Sequence, residues 1–282
     1  MRSHRWTLAA LFLLGPAAAL ADVTLRVPVV TQVQGAVFYR TSVTIGNGSG
    51  SHSVNIALRL IYRSSADGTI QNVTLNEDPL QQSRVLFFED IIQHFKDEGV
   101  IRVQDANGSL FGTLQVTFVA LNHDLNESIV EARTYSPGGG GTNAIAYVGR
   151  DVLTAGSETI RAAVRNGSFG ADGTTRTNIG FVNEGTVPTT VAVSYRDGAS
   201  GQVLREFTTA ELRPGEVTQQ NNIFTQSGVP AGTRTMIVRA QAQAVNGRIS
   251  GYAVQLDSVT NDGAFFLFAE EEDDCVYSPG GN

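Results

Sequence analysis

"RTSVTIGN" occupies Arg40–Asn47, and "RTNIGFVN" occupies Arg176–Asn183. Each opens on Arg-Thr, runs through alternating apolar positions and closes on Asn. Val43 and Ile45 of the first stand where Ile179 and Phe181 stand in the second, 136 positions on. Two-residue alternation is the pattern of a strand with one buried face, and Asn suits the turn that follows. The next strand repeats at an offset of 133: Leu58/Val191, Leu60/Val193, Tyr62/Tyr195 and Arg63/Arg196. Leu75 and Gln82 then match Leu212 and Gln219 at an offset of 137. Matched blocks in one order with small shifts are the mark of an internal repeat, so the chain reads as a tandem duplication.

The rest of the chain keeps the same period. Val54, Ile56, Leu58, Leu60 and Tyr62 form one row, Leu114, Val116, Phe118 and Ala120 another, and Met236, Val238, Ala240, Ala242 and Ala244 a third. Turn signals separate them, among them "NGSGS" at 47–51, "ADG" at 66–68, "DGASG" at 197–201 and "NG" at 246–247. Short strands with frequent Gly, Asn and Asp turns predict β-sandwiches, and 30 glycines count against a helical fold. One stretch departs from the period. In "SRVLFFEDIIQHFKDEG", Phe88, Ile91, Ile92 and Phe95 fall at helical spacing and Gly99 can end the helix. The expected fold is all-β: two tandem β-sandwich domains of immunoglobulin-like type, with one short helix in the first.

The boundaries follow from composition. Arg2 and Arg5, the apolar run "LAALFLL" at Leu8–Leu14 and "ALA" at Ala19–Ala21 read as a secretory signal over residues 1–21, cleaved near Ala21. No Cys follows that junction, so a lipid anchor is not supported, and no later run is long enough to span a membrane as a helix. Module 1 is expected over 22–137, a Gly-rich linker over 138–144, module 2 over 145–269 and an acidic disordered tail over 270–282. "YSPGG" at Tyr135–Gly139 and Tyr277–Gly281 would mark the two module ends.

Charge narrows the partners. The chain carries 20 basic and 27 acidic side chains, a formal −7. A nucleic-acid partner needs a basic face, and none is expected. The single cysteine, Cys275, excludes an intrachain disulfide, leaving burial and hydrogen bonding to hold each module. An exported lone thiol is a candidate for pairing between chains.

"FYRTSVTIGN", "TTRTNIGFVN" and "ISGYAVQLDSVTNDGAFF" (Ile249–Phe266) together resemble the tandem immunoglobulin-like or fibronectin-like β-sandwich modules of uncharacterised secreted bacterial proteins. The resemblance spans nearly all of the chain beyond the signal and implies architecture only. The paired cysteines of antibody-type domains are missing, and no functional residue carries over.

Chemistry is sparse. No Gly-any-Ser-any-Gly motif occurs; "GASGQ" around Ser200 comes nearest. His52, His94 and His123 all lie in the first copy, which excludes His-based catalysis or metal binding in the second. "SPGGGGTN" lacks the Lys and the spacing of a phosphate loop. "DANG" at Asp105–Gly108 and "NDG" at Asn261–Gly263 are fragments of oxygen-rich loops without the rest of a calcium motif. No cofactor is expected, and calcium is the one cation those loops bring into question. The five sequons, at Asn47, Asn72, Asn107, Asn126 and Asn166, read as turns.

The residues singled out are therefore those the repeat matches: Arg40, Thr41 and Asn47, with Arg176, Thr177 and Asn183. They have a structural reading, as supports of the strand and its turn, and a contact reading, as equivalent ligand groups. The expected role is a secreted, non-enzymatic interaction or structural protein of the cell envelope or extracellular space. It would bind a protein, a polysaccharide or another copy of itself through sandwich loops or edges. Three alternatives stand beside it. A carbohydrate-binding pair would use Phe38, Tyr39, Phe111, Phe169 and Phe207; a filament or surface-layer subunit would self-assemble; a secreted hydrolase would assemble a carboxylate pair in space.

Overall fold

A computed structural model describes residues 20–34, 38–121, 128–138, 141–166, 175–257 and 263–270. The first half opens with β1 (Leu20–Gln34), β2 (Phe38–Asn47), β3 (Val54–Arg63), β4 (Ile70–Leu80) and β5 (Val85–Phe88). Helix α1 (Ile91–Asp97) and the single turn α2 (Val103–Ala106) follow, then β6 (Leu110–Leu121), β7 (Ser128–Gly138), β8 (Gly141–Val148) and β9 (Arg150–Asp151). The second half runs through β10 (Thr159–Arg165), β11 (Thr175–Asn183), β12 (Val191–Asp197), β13 (Val203–Thr208) and β14 (Val217–Gln220). A 3-10 turn (Ile223–Thr225) leads to β15 (Thr235–Ala242), β16 (Ile249–Asp257), β17 (Gly263–Leu267) and β18 (Ala269–Glu270).

The chain is all-β, with three antiparallel sheets. The first half forms one nine-stranded sheet in the order β4-β3-β6-β1-β2-β7-β8, with β5 beside β2 and β9 beside β1. The second half forms two sheets, β13-β12-β15-β10-β18 and β14-β11-β16-β17. The pairings of the halves correspond. β3 lies between β4 and β6 as β12 lies between β13 and β15; β2 joins β5 and β7 as β11 joins β14 and β16. In the first half the layers are continuous because Gln32–Gln34 of β1 pairs with Phe38–Arg40 of β2. β1 reaches that far by a bulge between Val27 and Val30, where Pro28 has no N–H to give the ladder.

Each half buries an apolar core between its layers. Leu58 and Leu60 of β3, Leu114 and Val116 of β6, and Val43 and Ile45 of β2 are fully buried in the first. Val193 and Tyr195 of β12 and Val238 and Ala240 of β15 meet Ile179 and Phe181 of β11 in the second. Helix α1 adds Ile91, Ile92 and Phe95, all without exposure, to the first core. The Asp90 side chain caps its N-terminus by accepting from the Gln93 N–H, and Gly99, at φ +69°, follows its end.

Three expectations need correction. Phe88 belongs to β5, not to the helix: Val85–Phe88 pairs with Val43–Gly46, and the Asp90 cap sets the helix start beyond it. The stretch 138–144 is not a free linker, because Gly138 pairs with Gly141 and β8 continues the first-half sheet to Val148. Glu270 is not tail, since it pairs with Ile160 as part of β18. The signal segment up to residue 19, the tail from 271 and Cys275 lie outside the described residues.

Candidate functional site

The two halves are held together across a buried junction. The first-half core takes in Val182, Val217, Tyr252, Val254 and Leu256 of the second half. Both faces of β16 are covered, and every one of its nine residues is buried. Ile61 shows the same effect on the other side: it sits in a polar slot of β3, yet it is 2% exposed, because Gly215 packs against it. Tyr147 of β8 lies 4.8 Å from Phe265 of β17, and Phe265 stacks on Tyr252 at 5.5 Å.

Polar groups pin this junction. Arg26 of β1 forms a buried ion pair with Glu184, which also accepts a 2.7 Å hydrogen bond from Ser250. Burial pulls the Arg26 guanidinium below its ordinary value while Glu184 opposes the shift. The Thr113 hydroxyl donates to the Gly215 carbonyl at 2.6 Å. Arg63 pairs with Glu216, whose other carboxylate oxygen accepts the Arg213 N–H at 3.0 Å.

Beside the pinned contacts the junction opens into a cleft of about 850 Å³. Val29, Val33, Phe111 and Ile145 wall it from the first half, and Val217, Val254 and Leu256 from the second. Ser64, Ser65 and Ser109 lie along it, as do Asn178, Gln219, Asn221 and Asn222. Asn178 accepts the Asn222 N–H at 2.9 Å and so holds Asn222 in its left-handed conformation, φ 45°. This is a ligand-sized concavity of apolar walls with a few fixed polar groups.

The repeat-matched residues divide on this geometry. Arg176 lines the cleft, donates to the Tyr39 hydroxyl at 3.2 Å, and keeps a buried Nε with no hydrogen-bond partner. Arg40 also keeps a buried Nε with no hydrogen-bond partner, but it lies off the cleft, pairs with Glu89 at 2.9 Å and lies over the Tyr135 ring at 4.9 Å. Thr41 and Thr177 both tie β2 and β11 to the strand before: Thr41 accepts the Thr31 N–H, and Thr177 donates to the Arg165 carbonyl. Asn47 donates to the His52 and Leu80 carbonyls, and Asn183 to those of Val187 and Leu212. Each asparagine oxygen accepts an N–H two residues on, from Ser49 or Gly185. The bonded amide of Asn47 and its 3% exposure make it a turn support rather than a glycan acceptor.

The remaining candidates do not converge. His94 faces Glu77 and His52 faces Ser51, while His123 lies outside the described residues. Asp105 of the "DANG" loop is fully buried and accepts from Ser64 and Tyr62. Among the described residues no group of three or more His, Cys, Asp or Glu comes together. Tyr39 and Phe111 line the cleft, whereas Phe207 packs edge-on against Tyr195 in the far sheet and Phe169 lies outside the described residues. No helix among the described residues is long and apolar enough to cross a membrane.

No protein-family model and no curated protein matches the chain. Among solved structures it is similar to one described as a "putative secreted protein" from Parabacteroides distasonis ATCC 8503. The two are 10% identical, with 92% of this chain and 85% of that chain covered and a TM-score of 0.21. At that score the fold rests on this chain's own strand pairing.

Proposed function

We propose that this is an exported, non-enzymatic binding protein, built of two immunoglobulin-like β-sandwich modules in tandem, that takes its ligand in the cleft between them. The observation that carries the reading is the cleft itself: about 850 Å³, walled by both halves. The junction contacts support it, because Arg26–Glu184 and Thr113–Gly215 fix one wall against the other. A preformed cavity binds without the cost of ordering its walls. The cleft offers one carboxylate among the described residues, Glu216, already salt-bridged to Arg63. That favours binding over a paired-acid hydrolase. Export is supported by the basic, apolar and small-residue order of residues 1–21.

The test is recovery of a resident molecule. Protein purified after export from its own host is denatured, and released small molecules are identified by mass spectrometry. Ala144→Trp, which fills the cleft from β8, is treated in parallel. A compound released by the wild type and missing from the variant supports the reading. Equal amounts from both, or none from the wild type, overturn it.

A second reading, self-assembly, is favoured by one surface. On the outer face of β5-β2-β7, Val85 (63% exposed), Phe87 (61%) and Ile129 (53%) lie together, with Val148 (57%) of β8 beyond the exposed Glu131. Val85, Gly46 and Ile129 are direct cross-strand neighbours. An apolar sheet face of this kind marks an association surface. Sedimentation velocity over a concentration series decides it: assembly abolished by Phe87→Glu supports this reading, and a monomer at every concentration removes it.

A further inference from the structure

The cleft has a charge asymmetry that bears on its ligand, an inference that rests on the cleft being the binding site. Three charged side chains line it among the described residues. Arg63 and Glu216 neutralise one another. Arg176 has no carboxylate partner among the described residues, and its only hydrogen bond is to the neutral Tyr39 hydroxyl. Its Nε–H is buried and unbonded. A buried donor without a partner costs free energy, and an acceptor brought by a ligand would remove that cost. The guanidinium fork suits a planar carboxylate, which it meets through two parallel hydrogen bonds.

Next to Arg176 the walls are mainly apolar, with Asn178 the polar residue beside it on β11. Arg176 is the cross-strand partner of Leu256, and Val254 lies two residues further along the same strand. Val33 and Ile145 face them from the first half. A ligand that fits both features has an anionic head and an apolar body. We propose that the cleft binds an amphipathic carboxylate of the fatty-acid class, its head on Arg176 and its chain between β1, β8 and β16.

The experiment is calorimetric titration with three twelve-carbon probes below their micellar concentrations: dodecanoate, dodecanol and dodecyltrimethylammonium. The proteins are wild type, Arg176→Gln, Ala144→Trp and a second cleft-filling variant, Val33→Trp, each checked for native circular dichroism. Dodecanoate is expected to bind wild type at one site and more tightly than the other two. Arg176→Gln should weaken dodecanoate on the order of ten- to a hundredfold, the scale of a hydrogen bond to a charged group, and leave dodecanol within about twofold. Either folded tryptophan variant should abolish binding of both.

Equal affinity for all three probes, or an Arg176→Gln protein that binds dodecanoate as wild type does, overturns the carboxylate assignment. If a tryptophan variant still blocks binding in that case, the cleft reading stands. Dodecanoate binding unchanged in both tryptophan variants overturns the cleft reading as well. No binding of any probe to wild type overturns the amphipathic assignment, while a resident molecule of other chemistry would keep the cleft.

Discussion

Arg26 and Glu184 lie 158 positions apart, and their ion pair is buried where the two halves meet, with side chains 6% and 3% exposed. The attraction between such charges is offset by the cost of taking them from water. Their value to the fold is therefore in position more than in net energy. Glu184 also accepts from Ser250, so one carboxylate holds β1 and β16 in register.

Removing one partner leaves the other charged and stranded. Glu184→Ala is expected to cost about 3–5 kcal/mol, the range for breaking a buried pair from one side. The double replacement Arg26→Met with Glu184→Met should recover most of that loss, because a packed apolar pair of similar volume is often as stable as the ions. Urea unfolding of the wild type and the two variants measures this. A double variant as unstable as Glu184→Ala would show that the charges themselves are required.

The two turn asparagines make a matched experiment. Asn47 gives its amide to three carbonyls and Asn183 to two, and each takes one backbone N–H in return. Asn→Ala at either position removes these bonds, one of them to a buried carbonyl (Leu80 or Leu212), and should cost about 2 kcal/mol. Asn→Asp should cost more, because a carboxylate cannot donate and faces the same carbonyls. The two sites sit in different halves, so the losses should add within about 0.5 kcal/mol. Chemical denaturation of both singles and the double checks this, and a loss at one site alone would mean that the repeat is not functionally symmetric.

Much of this was legible in the chain. The alternation of β3 and β12, the Arg-Thr-to-Asn blocks and the Asn turns all follow from local spacing. What was hidden is the meeting of the halves. Ile61 is the one large apolar residue in an outward slot of β3, and Tyr252 to Leu256 is apolar on both faces of β16 but for Gln255; those are the signals that a second surface covers them. Arg26, Thr113 and Glu184 carry no local mark, because their partners are more than a hundred residues away. The cleft is lost to sequence for the same reason, as its walls come from β1, β6, β8, β11, β14 and β16. Phe88 fits the helical spacing i, i+3, i+4 and i+7, while the Asp90 cap that starts the helix later is a matter of side-chain geometry.

Two glycines should respond differently to one methyl group. A Cβ on Gly112 of β6 would stand 2.2 Å from the Ile61 carbonyl oxygen, which is backbone and cannot swing aside. A Cβ on Gly180 of β11 would meet the Tyr252 ring at 2.1 Å, and a ring can tilt if its neighbours yield. Gly180→Ala is expected to cost about 1–3 kcal/mol, the usual range for overpacking. Gly112→Ala should cost more and disturb the β3–β6 ladder, read as faster amide exchange at Ile61 to Arg63. Near-equal losses, with no change in exchange, would refute the distinction.

Buried tyrosines set the alkaline limit of the fold. Burial and the neighbouring Asp105 push the Tyr62 phenol up to about 12. Burial raises Tyr147, Tyr195 and Tyr252 further. Each phenol is raised in the folded state, so its contribution is complete below the unfolded value of about 10 and is lost as pH rises beyond it. By pH 11 the unfolded chain has released these protons while the folded chain keeps them, which favours unfolding by about 1 kcal/mol per phenol. The melting temperature should therefore be flat from pH 8 to 10 and fall steeply above. Absorbance at 295 nm gives the independent reading: of the seven tyrosines, these four and Tyr135, which burial also raises, should resist ionisation in the native protein and none in guanidinium. If all seven titrated together near pH 10 in the native protein, the phenols of β3, β8, β12 and β16 would not be buried as described.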